Sequence, residues 1–295
     1  MNIFIPVPQD KLNRLIRMAG NSIPDEMIVN AVNEKTMVRQ FKVAQTRTKN
    51  QFSDLFRKVQ DKVINKIMDT YDLNEHERSL LLEEFETLRT PMTGILKTGL
   101  SDAITTGNRE ATLSIQKLGS DITYKDFNPK VRELLLERAD KAVEQSLNTM
   151  SEQLMDRVAT AYEKGWNSEK AAREISATMD GMENKNLKTL TRTEMHSAKM
   201  EARQLKYQEI GVQYTIWLTA NDDIVRGNDP KDEADHVIMD GEIARIDEPY
   251  SNGLMYPGDM NGELSEFINC RCTEGPFIMP LGKEAPDGPF FEDDL

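Results

Sequence analysis

The sequence predicts a mainly α N-terminal helical region followed by a small α+β C-terminal domain. From about residue 25 to 210, apolar residues recur at three- and four-residue spacing, which is the helical period. After Gly211 the pattern changes to the alternation of a β-strand. The charge changes there too: residues 211–295 hold 5 Lys/Arg and 19 Asp/Glu, against 32 and 31 in the preceding 210. Such asymmetry indicates two parts that meet different partners.

These changes predict a division into four segments. They are an N-terminal arm, 1–24, a helical domain, 25–210, a small α+β domain, 211–278, and an acidic tail, 279–295. The helix at 187–210 is expected to pack on the small domain. The tail has too little apolar content to fold by itself.

Composition excludes several classes of protein. A chain of 295 residues can bury a sizeable core. It has no run of eighteen apolar residues, so no membrane contact is expected, and its start lacks a secretory signal. Two cysteines exclude a disulfide framework and suit a reducing cytoplasm.

The first long helical pattern is strongly basic. Its apolar stripe is formed by Phe52, Phe56, Val59, Val63 and Ile67, one helix face. Residues 35–68 carry nine Lys/Arg and two Asp, a net charge of +7. This charge indicates either a solvated helix face or contact with DNA phosphates or an acidic partner.

Local signals set the other helix ends. Asn74 with Glu77 forms a capping box, and Thr90-Pro91 starts a new helix. Gly107-Asn108 is expected to break the chain. Phe127-Asn128-Pro129 opens a long helix.

That long helix ends at Gly165 as a left-handed cap. Ser168 with Glu169 is expected to cap the next helix. The last helix ends before Gly211.

Glu194 lies on the apolar stripe of the last helix, where a buried charge is costly without a partner. One explanation is a capping box with Thr191 at a later helix start. The other is an ion pair with a cation in the following domain, for which Arg271 is the best candidate.

After Gly211, Val212 to Leu218 alternate as a strand. Residues 219–235 are rich in Asp, Asn and Gly and predict a loop. Short strands are predicted at 243–246 and 267–272.

Cys270 and Cys272, two apart on the last predicted strand, point to the same face. Reduced, packed thiols are the favoured interpretation. A metal bound with His236 as third ligand and a disulfide remain as alternatives, since tetrahedral zinc requires four ligands.

Catalysis is not expected. His196 lies on a helix and is interpreted as exposed or structural. His236, next to Asp235, could act as a base with an orienting carboxylate. No nucleophile elbow, glycine-rich phosphate loop or paired carboxylate motif accompanies it.

The ordered motifs of the last third are Thr191–Glu194, Tyr214–Ala220, Asp235-His236, Asp240-Gly241, Tyr256–Asp259 and Asn269–Cys272. In this order they resemble the C-terminal domain of the phage Mu F-like minor head proteins, also known as head morphogenesis proteins. The resemblance extends upstream through Asp126–Pro129 and Gly165–Ser168, so it covers about residues 120–278. It places at family core positions Arg192, Glu194, Trp217, His236, Gly241, Tyr256, Pro257, Cys270, Arg271 and Cys272.

The resemblance implies a minor capsid protein of a tailed phage, inside the head beside the portal, which aids packaging or ejection of the genome. Its implied partners are the portal protein, with the scaffold, the major capsid protein and packaged DNA as further candidates. The implied location is the virion, reached from the host cytoplasm, and no cofactor is implied. Family members often carry a second cysteine pair after the tryptophan strand, and residues 219–227 have none.

A toxin-like nuclease or transferase effector carried in the virion is the alternative function. The last strand-like residues are Phe277-Ile278, and the seventeen that follow leave no room for an appended effector domain. For the leading function, the exposed basic residues Arg57, Lys58 and Lys62 are predicted to contact the portal first and DNA second.

Overall fold

A computed structural model describes residues 35–69 and 74–295 and confirms the predicted fold class. Within these ranges six long helices precede a small sheet. They are α1 (Lys35–Asp69), α2 (Glu75–Glu86), α3 (Arg89–Lys117), α4 (Pro129–Glu163), α5 (Ser168–Met182) and α6 (Lys188–Glu209), with a π-helical turn, Glu183–Leu187, before α6. The predicted N-terminal arm, 1–24, lies outside the described residues.

Three short antiparallel strands follow in the order β2-β1-β3. They are β1 (Tyr214–Leu218), β2 (Ile243–Arg245) and β3 (Thr273–Phe277), with a single helical turn, α7 (Leu264–Phe267), before β3. The strands predicted at 212–218 and 243–246 are confirmed. The strand predicted at 267–272 is wrong, because Asn269 has φ +57°, a left-handed backbone that cannot continue a strand.

The contacts divide the chain into two compact units. The helical unit comprises residues 43–101 and 133–194, and its core holds the predicted stripe of α1. Phe56 packs edge-to-face against Phe85, with ring centroids 5.7 Å apart. Burial of these aromatic rings contributes to the stability of the unit.

The sheet unit comprises 102–132 and 195–295, together with the described residues up to 42. The C-terminal part of α6, from Met195 onwards, therefore belongs to the sheet unit. The boundary predicted at Gly211 coincides with the change in hydrophobic period and charge, and not with the boundary between the two units. Phe290, in the predicted tail, is buried and pairs with Ile243 of β2. The acidic segment thus folds onto the sheet through an apolar side chain.

Most helix ends follow the predicted signals. The Asn74 side chain accepts a hydrogen bond from the Glu77 amide at 3.1 Å. Gly165 and Gly211 have φ +57° and +79°, so both predicted stops are confirmed. The predicted cap at Ser168 is wrong by one residue, since the Asn167 side chain accepts the Lys170 N–H at 2.9 Å.

The break predicted at Gly107-Asn108 is wrong, because α3 continues through it. A Cβ at Gly107 would lie 2.0 Å from the backbone oxygen of Lys199 in α6. Gly107 is therefore required for close approach of two helices, and Asn108 donates from its amide to the Lys125 oxygen at 3.1 Å.

We expect Gly107→Ala to lower the free energy of unfolding by about 2 kcal/mol, because the clash with Lys199 outweighs the better helix propensity of alanine. Gly94→Ala in the same helix is the control, since a Cβ there meets nothing within 4 Å. It should raise stability by up to about 1 kcal/mol. Denaturant unfolding of both variants is the measurement, and equal effects at the two glycines would contradict the interpretation.

Among the described residues, no helix has the length and apolar character needed to span a bilayer.

Candidate functional site

His236 is placed by the loop between β1 and β2. Its backbone N–H donates to the Arg226 oxygen at 2.9 Å. The Asp235 carboxylate accepts hydrogen bonds from the N–H groups of Val237 and Ile238, at 3.0 and 3.3 Å, and closes the turn. Gly227, at φ +98°, allows this, because a Cβ there would lie 2.0 Å from the Asp235 carboxylate.

Cys270 and Cys272 face the same ring nitrogen of His236, although they lie on an irregular segment rather than on the expected strand. Their Sγ atoms are 3.9 and 3.5 Å from His236 Nδ1. Both thiols are free and buried. The three donor atoms all lie within 4.8 Å of one another.

The other ring nitrogen of His236 contacts a carboxylate. Nε2 lies 2.9 Å from Glu266 Oε2, which also accepts a hydrogen bond from the Asn252 amide at 2.9 Å. The orienting carboxylate is thus Glu266, whereas Asp235 holds the turn. With the proton on Nε2, the lone pair of Nδ1 points at the two sulfurs.

His196 of α6 also belongs to this cluster, which the sequence did not indicate. It is buried, and its Nε2 has no hydrogen-bond partner within the described structure. Gly258, in the Tyr256–Asp259 motif, packs against it: a Cβ there would lie 2.9 Å from the ring carbon Cδ2. The motif therefore holds the imidazole in place, and Gly258 has φ +84°.

The two thiols have opposite electrostatic environments. A hydrogen bond from Cys272, followed by His196 and His236, holds the pKa of Cys270 well below its usual value despite burial. The hydrogen bond with Cys270 and burial raise the pKa of Cys272. Burial lowers the pKa of His236, but Cys270 and Glu266 outweigh it and raise the pKa above 6.5.

Trp217 forms one wall of the cluster. Its ring packs edge-to-face on His236 and on Tyr250, with centroids 5.3 and 5.2 Å apart. A cavity of about 180 Å³ opens on the other side, lined by His236 and both cysteines among others. The cavity thus borders the site, although both thiols are buried.

Two expectations about charged family positions are corrected. Glu194 does not reach Arg271: its carboxylate lies 3.3 Å from Arg138 Nε, inside the helical unit. The capping-box alternative is wrong as well, since Thr191 lies within α6 and donates to the Leu187 oxygen at 2.8 Å. Arg271 binds Asp222 with two hydrogen bonds, one of 2.6 Å.

The remaining family positions are structural in their contacts. Gly241 has φ +87° and donates its N–H to the Trp217 oxygen at 2.9 Å. The backbone oxygen of Tyr256 accepts a hydrogen bond from the backbone N–H of Asp259 at 3.0 Å, and Pro257 is buried in the same turn. These contacts shape the loops around the sulfur–histidine cluster.

The predicted basic contact residues are exposed, but two of them already have acidic neighbours. Arg57 makes hydrogen bonds of 2.8 and 3.0 Å to the buried carboxylate of Glu183. Lys62 lies 3.2 Å from Glu84. Lys58 has no ion pair among the described residues, and the partner role of all three stays a prediction.

A basic pocket of about 470 Å³ lies nearby in the helical unit, and sequence reasoning missed it. Its charged lining is Lys49, Lys188 and Arg192, with no carboxylate among the described residues that line it. Polar side chains complete the lining: Gln45, Thr46, Asn184 and Thr191. The signal that could have found it is Arg192, which the family resemblance had already singled out.

Buried charges form a second feature missed in the sequence. Glu110 of α3 is paired with Arg203 and Lys199 of α6 in the interior of the sheet unit. Arg203 is fully buried and also donates to the Glu274 backbone oxygen at 2.7 Å. Burial raises the pKa of the Glu274 carboxyl to about 8, although Arg203 acts in the opposite direction.

Residues 152–274 match the family model described as Phage Mu protein F like protein. Over these residues, about two fifths of the chain, the sequence is similar to the phage Mu F-like family. This match indicates a bacteriophage head morphogenesis protein with a place in the virion. Comparison with curated proteins and with solved structures gives no match. The Mu F-like region contains the whole sulfur–histidine cluster, whereas α1 to α3 precede it.

Proposed function

We propose that this Mu F-like protein is a non-enzymatic minor capsid protein that attaches to an acidic surface of the portal from inside the head. Lys49, Lys188 and Arg192 form the attachment surface. Attachment there would place the chain beside the channel used in packaging and ejection of the genome. The proposal rests on the family match and on the charge of this pocket.

The observation that carries the proposal is the concentration of cations without local acid. Three cationic side chains line one pocket, and its other lining residues are neutral. Elsewhere in the helical unit, exposed cations face carboxylates, as Arg57 faces Glu183 and Lys97 faces Asp140 at 2.8 Å. Clustered like charges raise the local potential and attract an acidic partner.

The chemistry favours a protein over packaged DNA. Residues 211–295 carry a net charge of −14, and this charge would repel phosphates wherever DNA approached this segment. Attachment to an acidic portal surface of limited area requires contact with the basic pocket only. The scaffold and the major capsid protein are alternative partners, and binding of each to the same variants separates them from the portal.

The burial of the thiols supports a non-enzymatic role. Cysteine, histidine and a carboxylate also occur together in thiol enzymes. Cys270 and Cys272 are each only 2% exposed, so a substrate carbonyl cannot reach either sulfur without rearrangement of the loops.

We expect Lys49→Glu, Lys188→Glu and Arg192→Glu together to reduce the affinity for the isolated portal about tenfold or more at low salt, with a smaller difference at high salt. Copies per head should fall in parallel. Quantitative mass spectrometry of purified heads, normalised to portal subunits, and portal binding at two salt concentrations are the measurements. Arg57 is left unchanged, because its replacement would leave the buried carboxylate of Glu183 without its ion-pair partner.

The matched control reverses three other exposed lysines, Lys130, Lys141 and Lys231, none of which is in an ion pair with a described residue. It makes the same change of net charge and should be incorporated normally. Normal incorporation of the pocket variant would contradict the proposal. If the pocket variant kept its affinity for the portal but lost binding to the scaffold or the major capsid protein, the basic pocket would be the binding site for that protein.

A further inference from the structure

We propose that Cys270, Cys272, His236 and His196 bind one structural Zn²⁺ ion. The site would tie the loop after β1, the segment before β3 and helix α6 together within the sheet unit. This inference goes beyond the role in the head and is independent of it.

The spacing of the donor atoms fits a tetrahedral ion. Zn–S and Zn–N bonds of about 2.3 and 2.05 Å at a tetrahedral angle place sulfur and nitrogen about 3.6 Å apart. The observed distances from His236 Nδ1 to Cys272 Sγ and Cys270 Sγ are 3.5 and 3.9 Å. Small movements of the side chains would therefore suffice to admit the ion.

The surroundings of His236 suit a metal ligand. Its Nε2 lies 2.9 Å from Glu266 Oε2, and the Asn252 amide donates to the same carboxylate oxygen at 2.9 Å. A carboxylate behind a histidine fixes the ring, selects the tautomer and raises the basicity of the ligating nitrogen. A histidine packed merely as an apolar ring would need no such support.

His196 is the fourth ligand. It is buried, and its Nε2 atom has no hydrogen-bond partner within the described structure; a small shift of the ring would bring it to the group formed by the other three donor atoms. A buried nitrogen without a hydrogen-bond partner destabilises the fold, and coordination would remove this cost. Gly258 leaves room for the ring, because a Cβ at that position would lie 2.9 Å from Cδ2.

The donor set selects the metal. Two thiolates and two neutral imidazoles form the Cys₂His₂ set typical of structural zinc, and two thiolates balance the charge of Zn²⁺. Binding displaces the thiol protons to solvent and requires no oxidant or reductant. The cavity beside the cysteines, about 180 Å³, provides a path for the ion.

Packed thiols are the competing explanation, since both cysteines also belong to the apolar cluster around Trp217. Packing alone does not account for the Glu266–His236 pair or for the buried, unsatisfied Nε2 of His196. The missing second cysteine pair of the resembling family does not exclude zinc either, because the two histidines supply the remaining ligands.

The full-length protein, purified without chelators or a metal-affinity column, should contain close to one zinc per chain by mass spectrometry. A mercurial that modifies thiols should release the ion stoichiometrically to a chromogenic indicator. Co²⁺ exchange should produce the intense visible bands of a tetrahedral site with sulfur–metal charge transfer. X-ray absorption should show two sulfur and two nitrogen neighbours.

Three variants and one control complete the test. Cys272→Ser and His236→Gln should lose the metal, and Glu266→Gln should bind it roughly 10–100-fold more weakly. His76→Gln changes an exposed histidine on α2 and should keep full occupancy. Should a variant fail to fold, the release and reconstitution of zinc in the unmodified protein still decide the question.

Zinc at background in the unmodified protein, both as purified and after refolding with excess Zn²⁺, would overturn the proposal and leave packed thiols as the explanation. An absorption spectrum with two sulfur neighbours, one imidazole and a water would overturn the assignment of His196 as the fourth ligand.

Discussion

Glu110→Met is expected to lower the free energy of unfolding by about 3–5 kcal/mol, the largest effect of any single change considered for this protein. Glu110 is 4% exposed and faces both Arg203 and Lys199. Removal of the carboxylate leaves two cations in the interior. Lys199 can release its proton, since burial already lowers its pKa, but Arg203 stays charged.

Arg203→Met should cost less, about 3 kcal/mol, because Glu110 keeps Lys199 at 3.4 Å. A larger loss of stability for Glu110→Met than for Arg203→Met would therefore show that unpaired charge, rather than lost side-chain volume, determines the loss. Denaturant unfolding followed by circular dichroism measures both.

Glu248→Met is the matched control. Glu248 pairs with Arg245 at 3.4 Å, but both side chains are about half exposed. Its removal should cost less than about 1 kcal/mol. A cost below 1 kcal/mol at Glu110 as well would show that the buried cluster contributes nothing specific.

Glu274→Gln is expected to remove a pH dependence of stability that the unmodified protein shows between about pH 4.5 and 8. Burial raises the pKa of Glu274 to about 8 from an ordinary 4.5, with Arg203 opposing the shift. Neither carboxyl oxygen has a hydrogen-bond partner within the described structure. The folded protein therefore holds a proton that the unfolded chain releases in this range.

A group whose pKa is raised on folding stabilises the fold below its unfolded pKa and loses that contribution as pH rises. A shift from 4.5 to about 8 corresponds to an upper limit of about 4–5 kcal/mol. The glutamine variant resembles the neutral acid at every pH. Relative to the unmodified protein, it should thus become more stable as pH rises from 5 to 9.

Unfolding midpoints at several pH values, for the unmodified protein and Glu274→Gln, give this difference directly. Glu263→Gln, a change at an exposed glutamate, should follow the unmodified protein across the range. A constant difference between Glu274→Gln and the unmodified protein would show that the buried carboxyl does not titrate in this window.

Local pattern determined most of the secondary structure. The stripe of α1, the cap at Asn74 and the stop at Gly165 depend on residues within a few positions of one another, and all three are present. The local pattern also gave one wrong prediction. Gly107 has the sequence signal of a break, but it is a contact point between two helices, which depends on Lys199 more than ninety residues away.

The partners of charged side chains could not be predicted in the same way. Glu194 was recognised as a buried charge in need of a cation, but its partner is Arg138 of α4 and not Arg271. Both arginines were available in the sequence. Which arginine pairs with Glu194 depends on how α4 packs against α6. The spacing of apolar residues along the sequence does not specify this packing.

The sequence by itself determined the helical region, the small sheet and the family, because these follow from spacing along the chain and from ordered motifs. Only the tertiary structure brought His196 and His236 to the two cysteines, and turned the Nδ1 of His236 towards the sulfurs through Glu266. These residues are separated by up to 76 positions. Their convergence depends on loop closure and helix packing, where small differences in backbone direction decide which side chains meet.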